Sequence, residues 1–106
     1  MLLTEFRDII LTADPNAKRY GGKGTDNYTV WGEYGASSLH ADNNPFGKVW
    51  RIQVDRFTKL EDDPVVAAID AALNRDDIAI RDYLIDIERE NGRIAYIHHI
   101  WDCEVA

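Results

Sequence analysis

Residues 83–101 read YLIDIERENGRIAYIHHIW, two alternating runs joined by Asn91-Gly92. Asn-Gly is a strong signal for a two-residue hairpin, because a type I′ turn needs positive φ at both central positions. Folding the chain about this dipeptide predicts four cross-strand pairs: Arg89 with Ile94, Ile87 with Tyr96, Ile85 with His98, and Tyr83 with Ile100. The sequence therefore predicts a long antiparallel hairpin near its C-terminal end.

This register also predicts which face of the hairpin is buried. It places six large side chains together, and we expect them to form a core face: Tyr83, Ile85, Ile87, Ile94, Tyr96 and Ile100. Upstream, Ile78 and Ile80 have even numbers, so in a regular strand they would point to the face opposite Tyr83, Ile85 and Ile87. If they too are buried, a β-bulge near Arg81-Asp82 is needed to bring them to the same face.

A second stretch, residues 54–64, reads VDRFTKLEDDP and predicts a strand that passes through a polar turn into a helix. The strand, residues 49–57, alternates cleanly, which is typical of a half-buried antiparallel strand. Asp63 is the predicted N-cap of the helix, with Pro64 at its first position. The acidic run 61–63 is then interpreted as a helix cap rather than a binding patch. We expect one buried cluster: Trp50, Ile52, Val54, Ile69, Leu73, Ile85 and Ile100.

The first half of the chain completes the order of elements. Apolar residues at helical spacing predict a helix over residues 3–13, and β-branched and aromatic residues predict a strand over 27–34. A short strand is expected within 17–22, and the Gly- and Asn-rich stretch 35–47 predicts a loop. The prediction is a single domain, 1–106, with an α+β fold. Its order is α-β-β-β-α-β-β, an antiparallel or mixed five-stranded sheet with two helices packed on it.

Composition excludes several classes of function. A formal net charge of −7 argues against tight nucleic-acid binding, which needs clustered Lys and Arg. The single cysteine, Cys103, cannot form an internal disulfide. The N-terminal residues carry charges too early for a signal peptide, and no apolar run approaches membrane-spanning length. We therefore expect a cytosolic protein, or a particle assembled in the cytosol, with no membrane partner.

The reactive residues of the sequence do not favour a catalytic or metal site. His98-His99 with Asp102 and Cys103 suggests a metal site, but neighbours in a strand point to opposite faces, so too few ligands converge from this segment. Residues 21–25, GGKGT, lack the spacing of a phosphate loop. Cys103 has no base beside it in the sequence, which favours a packed thiol. We expect no catalytic, cofactor or metal site, and no enzyme activity.

Three groups of residues resemble a known protein family. The first two are residues 26–33 (DNYTVWGE) and residues 54–64. The third, which we call the C-terminal pattern, comprises Glu88, Asn91-Gly92, Ile94, residues 97–99, Trp101 and Glu104. Together they resemble small prophage-encoded proteins of Gram-positive bacteria. These are tail completion or tail terminator proteins, sometimes labelled minor capsid proteins. The resemblance implies a structural protein that caps the finished tail tube, usually as a hexameric ring, and presents a surface for head–tail joining. The implied partners are copies of itself, the tail tube protein and a head completion or connector protein, in a virion tail assembled in the host bacterial cytoplasm.

The stretch 35–47 is long for a strand connection, and such loops are usually either functional or disordered, so contact with a partner and simple mobility are equally open here. Phe46 beside Pro45 places apolar groups on this polar stretch. We therefore hypothesise that four residues contact a neighbouring subunit or the tube: Asn43, Asn44, Pro45 and Phe46. The alternative function is an acidic binding module or inhibitor that docks on a basic partner, supported by charge alone. A small enzyme is the third class, and the sequence shows no converging acid, base, nucleophile or metal set for it.

Overall fold

The computed structural model describes residues 1–22, 26–38 and 48–106. It confirms the predicted α+β fold and its order: α1 (Leu3–Ala13), β1 (Lys18–Arg19), β2 (Tyr28–Ser38), β3 (Lys48–Thr58), α2 (Pro64–Leu73), β4 (Ile78–Glu90) and β5 (Arg93–Val105). The five strands form one mixed sheet in the order β1-β2-β3-β5-β4. β1 runs parallel to β2, and the other neighbouring pairs are antiparallel.

Both helices have ends that the sequence explains. The Asp63 side chain accepts a hydrogen bond from the Val65 N–H at 3.0 Å, and Pro64 follows as the first helical residue, as predicted. At the start of α1, the Glu5 carboxylate accepts a hydrogen bond from the Leu2 N–H at 2.9 Å. The helix ends at Asp14, whose N–H donates to the Ile10 carbonyl. The helix boundaries therefore follow from local capping.

The core lies between the two helices and one face of the sheet, which we call the helix side. Its buried members come from both helices and four strands: Phe6, Ile10, Trp31, Ile52, Val54, Ile69, Leu73, Ile78, Trp101, Cys103 and Val105. Four residues of the predicted cluster, Ile52, Val54, Ile69 and Leu73, are confirmed here. Trp50 is partly buried and packs against the edge of this core.

A group of buried ion pairs centred on Arg56 lies among these apolar residues. The Arg56 guanidinium contacts Asp63 at 2.8 Å and Asp14 at 3.4 Å, and it also donates to the Thr29 hydroxyl at 3.2 Å. Burial disfavours the ionised form of Asp63, but hydrogen bonds from Arg56 and the Val65 N–H outweigh it and hold the pKa of Asp63 below its usual value. Arg56 thus joins the end of α1 and the start of α2 to β3.

The loop predicted over residues 35–47 is wrong in its first four residues. β2 continues to Ser38, and residues 35–38 pair with residues 48–51 of β3. A register shift between Glu33 and Gly35 lets the strand pass its glycines and stay paired. Pairing with β3 outweighs the weak strand preference of Gly35 and Ser37. The predicted contact residues, Asn43, Asn44, Pro45 and Phe46, lie outside the described residues.

The hairpin turn at Asn91-Gly92 is confirmed, with φ of +53° and +76° at its two residues. The pair Arg89–Ile94 is also confirmed, but the other three predicted pairs are wrong by one residue. Ile87 pairs with Ile97, Ile85 with His99, and Tyr83 with Trp101. The cause is a register shift at Glu88/Arg89, which leaves Ala95 of β5 as an extra residue. The second shift, between Ile80 and Asp82, lies where the bulge was predicted, although of the two residues whose burial was its condition only Ile78 is buried and Ile80 is exposed.

The predicted core face of the hairpin is also wrong. Four of its members are exposed, namely Tyr83, Ile85, Ile87 and Ile94, while Tyr96 and Ile100 are only half-buried. The pairing places Ile100 opposite Asp55 and Leu84, on the face away from the helices. The residues of β5 that enter the core are those on its opposite face, namely Trp101, Cys103 and Val105. Ile85 and Ile100 therefore do not belong to the buried cluster.

We predict that Ile69→Ala lowers the free energy of unfolding by about 2–5 kcal/mol, the usual cost of truncating a fully buried aliphatic side chain. Ile85→Ala is the matched control, since Ile85 is 56% exposed, and its loss should stay within about 0.5 kcal/mol. Urea denaturation of both variants at low protein concentration measures the difference. Equal losses at the two sites would contradict the assignment of the core.

We predict that Arg56→Ala costs about 3–5 kcal/mol, because it leaves two carboxylates with reduced pairing in a buried site. Arg75→Ala serves as control, since Arg75 forms its ion pair with Asp77 at the exposed surface. The thermal midpoint of the control should stay at the wild-type value. An R56A midpoint equal to that of R75A would show that the buried pairs do not anchor the helices.

Candidate assembly surface

The two helices are too short to cover the sheet. α1 and α2 have 11 and 10 residues, which corresponds to about 15–16 Å each at 1.5 Å per residue. β4 and β5 have 13 residues each, or about 43 Å at 3.3 Å per residue. The helices cover the base of the hairpin, where Ile78 and Trp101 are buried. The rest of the hairpin extends beyond them, and the longest dimension of the protein is 54 Å.

The uncovered part of the hairpin carries large apolar side chains. We call the following set the hairpin surface: Tyr83, Leu84, Ile85, Ile87 and Ile94. Leu84 and Ile85 are each more than half exposed, at 51% and 56%. Ile85 and Ile87 lie on the helix side, and Leu84 on the other face, so β4 is apolar on both. Clusters of exposed apolar groups, such as Ile85 and Ile87 on the helix side, are typical of protein–protein contact sites.

β4 is also an edge strand. Among the described strands it pairs only with β5, so the backbone N–H and C=O groups on its outer side face away from the sheet. The strand has 13 residues and contains neither Pro nor Gly. Proteins protect long edges with prolines, short strands, charged side chains, β-bulges or a covering segment. β4 has a bulge near Arg81 and charged residues at both ends, but its segment 83–87 is regularly paired and apolar except for Asp86. An edge that keeps its apolar residues and its free backbone groups is suited to pairing with a strand of another molecule.

The base of this hairpin is held by aromatic and polar contacts to α2. The Trp101 indole N–H donates to Asp70 at 2.7 Å, and the Tyr83 and Trp101 rings lie 5.2 Å apart. The Tyr83 hydroxyl is 2.5 Å from His99 Nδ1. Burial raises the pKa of Tyr83 and lowers the pKa of His99, so both groups are favoured in their neutral forms. These contacts fix the direction in which the hairpin extends.

The face away from the helices has a different character. Phe57 stacks on Tyr28 at 4.7 Å and on His98 at 4.0 Å between ring centroids. His98 Nε2 lies 2.7 Å from an Asp55 oxygen, and Nδ1 lies 3.3 Å from a Glu88 oxygen. Burial disfavours the charged imidazole, but the hydrogen bond and charge of Asp55, with the charge of Glu88, raise the pKa of His98.

The structure places the other candidate residues as follows. His98 and His99 point to opposite faces, as predicted, because each pairs in a regular part of β5. Cys103 is buried in the core, and burial raises the pKa of its thiol to about 12, so the thiol stays protonated near neutral pH.

Sequence reasoning missed the hairpin surface and the acidic neighbours of His98. The sequence did contain one signal. In the observed register an acidic residue, Asp86, lies opposite His98, and Ile87 lies opposite Ile97. The predicted register placed the apolar Ile85 opposite His98, which is a less favourable cross-strand pair.

The helices that the structure describes include none long and apolar enough to cross a membrane. Comparison with models of known protein families gives no match for this chain, and comparison with curated proteins gives none either.

Proposed function

We propose that this protein is a non-catalytic tail completion, or tail terminator, subunit of a phage or prophage. Two independent lines support the proposal. One is the resemblance carried by residues 26–33, 54–64 and the C-terminal pattern. The other, and the observation that carries most weight, is the apolar hairpin surface on β4, whose outer edge pairs with none of the described strands. A subunit that works by assembly needs such a surface, whereas the alternative module is supported by its acidic charge alone.

In this proposal the hairpin surface contacts the next copy of the chain. Contact between the hairpin of one subunit and a different surface of its neighbour is heterologous, and heterologous contacts close into a ring when the rotation permits. The resemblance implies a hexamer. Full burial of an exposed Ile or Leu stabilises by about 1.5–3 kcal/mol, so covering a half-exposed side chain such as Ile85 contributes about half of that, and the effect repeats at every interface of the ring.

The remaining partners follow from the same assignment. The ring caps the tail tube protein on one side and meets a head completion or connector protein on the other, in the virion tail. A net charge of −7 suits a ring around a channel that passes DNA, because the ring should not hold that DNA tightly. The contact of Asn43, Asn44, Pro45 and Phe46 with a neighbour or the tube stays a prediction.

We predict that Ile85→Lys abolishes self-assembly while leaving the fold intact, since it places a charge in the interface but lies outside the core. Leu60→Lys is the matched control: Leu60 is an exposed apolar residue in the turn before α2, and the variant adds the same charge. Sedimentation velocity with and without purified tail tube protein measures both. The wild type and L60K should form hexamers, alone or on contact with tubes, and I85K should stay monomeric.

Two results would contradict the proposal. A wild-type protein that stays monomeric with tubes present, yet binds one basic protein, would support the alternative acidic module. Deletion of the gene without any change in tail length or head joining would remove the terminator assignment itself. Replacing Asn44-Pro45-Phe46 with Gly-Ser-Gly tests the loop separately, and normal particle yield from that variant would exclude it as the contact.

A further inference from the structure

Three potential metal ligands meet on the face of the hairpin away from the helices. Asp86 pairs directly with His98 across the strands, and Glu88 follows on the same face of β4. One donor atom from each of the three residues lies within 4.8 Å of the others. His98 Nδ1 and Glu88 Oε1 lie 3.3 Å apart. Asp86 is exposed, which leaves a path from solvent to the site.

These separations suit a small cation. Nitrogen and oxygen donors at 2.0–2.2 Å from a tetrahedral ion lie about 3.4 Å apart, close to the His98–Glu88 distance. The other donor atoms need to approach by at most about 1.4 Å to reach that spacing. Rotation of the exposed Asp86 side chain supplies such a movement without any change in the backbone.

The imidazole is held in the orientation that a ligand needs. His98 Nε2 is 2.7 Å from Asp55, which lies outside the ligand set, and Gln53 donates to both oxygens of Asp55 at 2.9 and 3.1 Å. When Nε2 carries the proton and donates it to Asp55, the lone pair of Nδ1 faces Glu88. A histidine with one nitrogen fixed by a carboxylate and the other free for a metal is the usual arrangement around bound ions.

We propose that Asp86, Glu88 and His98 bind a divalent transition-metal ion of the Zn²⁺ type. The imidazole favours such an ion over Mg²⁺ or Ca²⁺, which prefer oxygen ligands alone. Two carboxylates balance its charge, and three protein ligands leave a coordination position for water or for a donor from another molecule. The ion would join β4 to β5 within the projecting hairpin. The site stands independently of the proposed assembly function.

Isothermal titration calorimetry with Zn²⁺ tests the site on the full chain. The wild type should bind one ion, and Asp86→Asn and Glu88→Gln should each weaken binding at least tenfold. Asp82→Asn is the matched control, since Asp82 is an exposed carboxylate on the same face of β4, and its affinity should equal that of the wild type. Mn²⁺ should selectively broaden the NMR signals of His98 and Tyr96.

The site is overturned if Zn²⁺ does not bind, or if D86N and E88Q bind it as tightly as the wild type. Equal affinity for Mg²⁺ and Zn²⁺ would overturn the choice of ion. Circular dichroism of each variant establishes that it is folded, and the exposed position of Asp86 makes D86N the decisive variant if E88Q is perturbed.

Discussion

The buried guanidinium of Arg56 determines where the helices lie on the sheet. It reaches Asp14 at the end of α1 and Asp63 at the start of α2, so both helix ends meet at one point of β3. Ile52 and Val54 lie before this point on the same face of β3 and are buried beneath the helices. A charged group in this position is costly without its partners, so removing any one of the three charges is expected to destabilise the fold.

The uncovered hairpin is the direct consequence. Arg56 pairs with His99 of β5, and the residues of β5 that enter the core, Trp101, Cys103 and Val105, all lie on the far side of His99 from the turn. Toward the turn, β4 and β5 continue past both helices with apolar residues still on the helix side. Their exposure is unfavourable in an isolated molecule, and contact with a second molecule removes it. This is the physical basis of the proposed assembly function.

Local signals predicted most of the fold, and a long-range detail decided the rest. Asp63-Pro64 and Asn91-Gly92 are short patterns with local causes, and both are found. The bulge near Arg81 followed instead from a change in the alternation along β4, and it too is found. The register beyond the turn was wrong because the extra residue, Ala95, has no local signature; a one-residue shift changes every later pair. Alternation also shows only that one face of a strand is apolar. Whether helices or another molecule cover that face depends on helix length and placement, which is why the hairpin surface was mistaken for core.

Amide hydrogen exchange across residues 83–88 tests most directly whether another molecule covers the hairpin. The measurement compares the isolated protein with the protein assembled on tail tubes. The account predicts that amides on the outer side of β4 exchange at least tenfold more slowly after assembly, because a neighbouring chain pairs with or covers that edge. Exchange in α2 should not change. Assembly with unchanged exchange throughout 83–88 would show that the subunits meet elsewhere, and it would contradict the central claim.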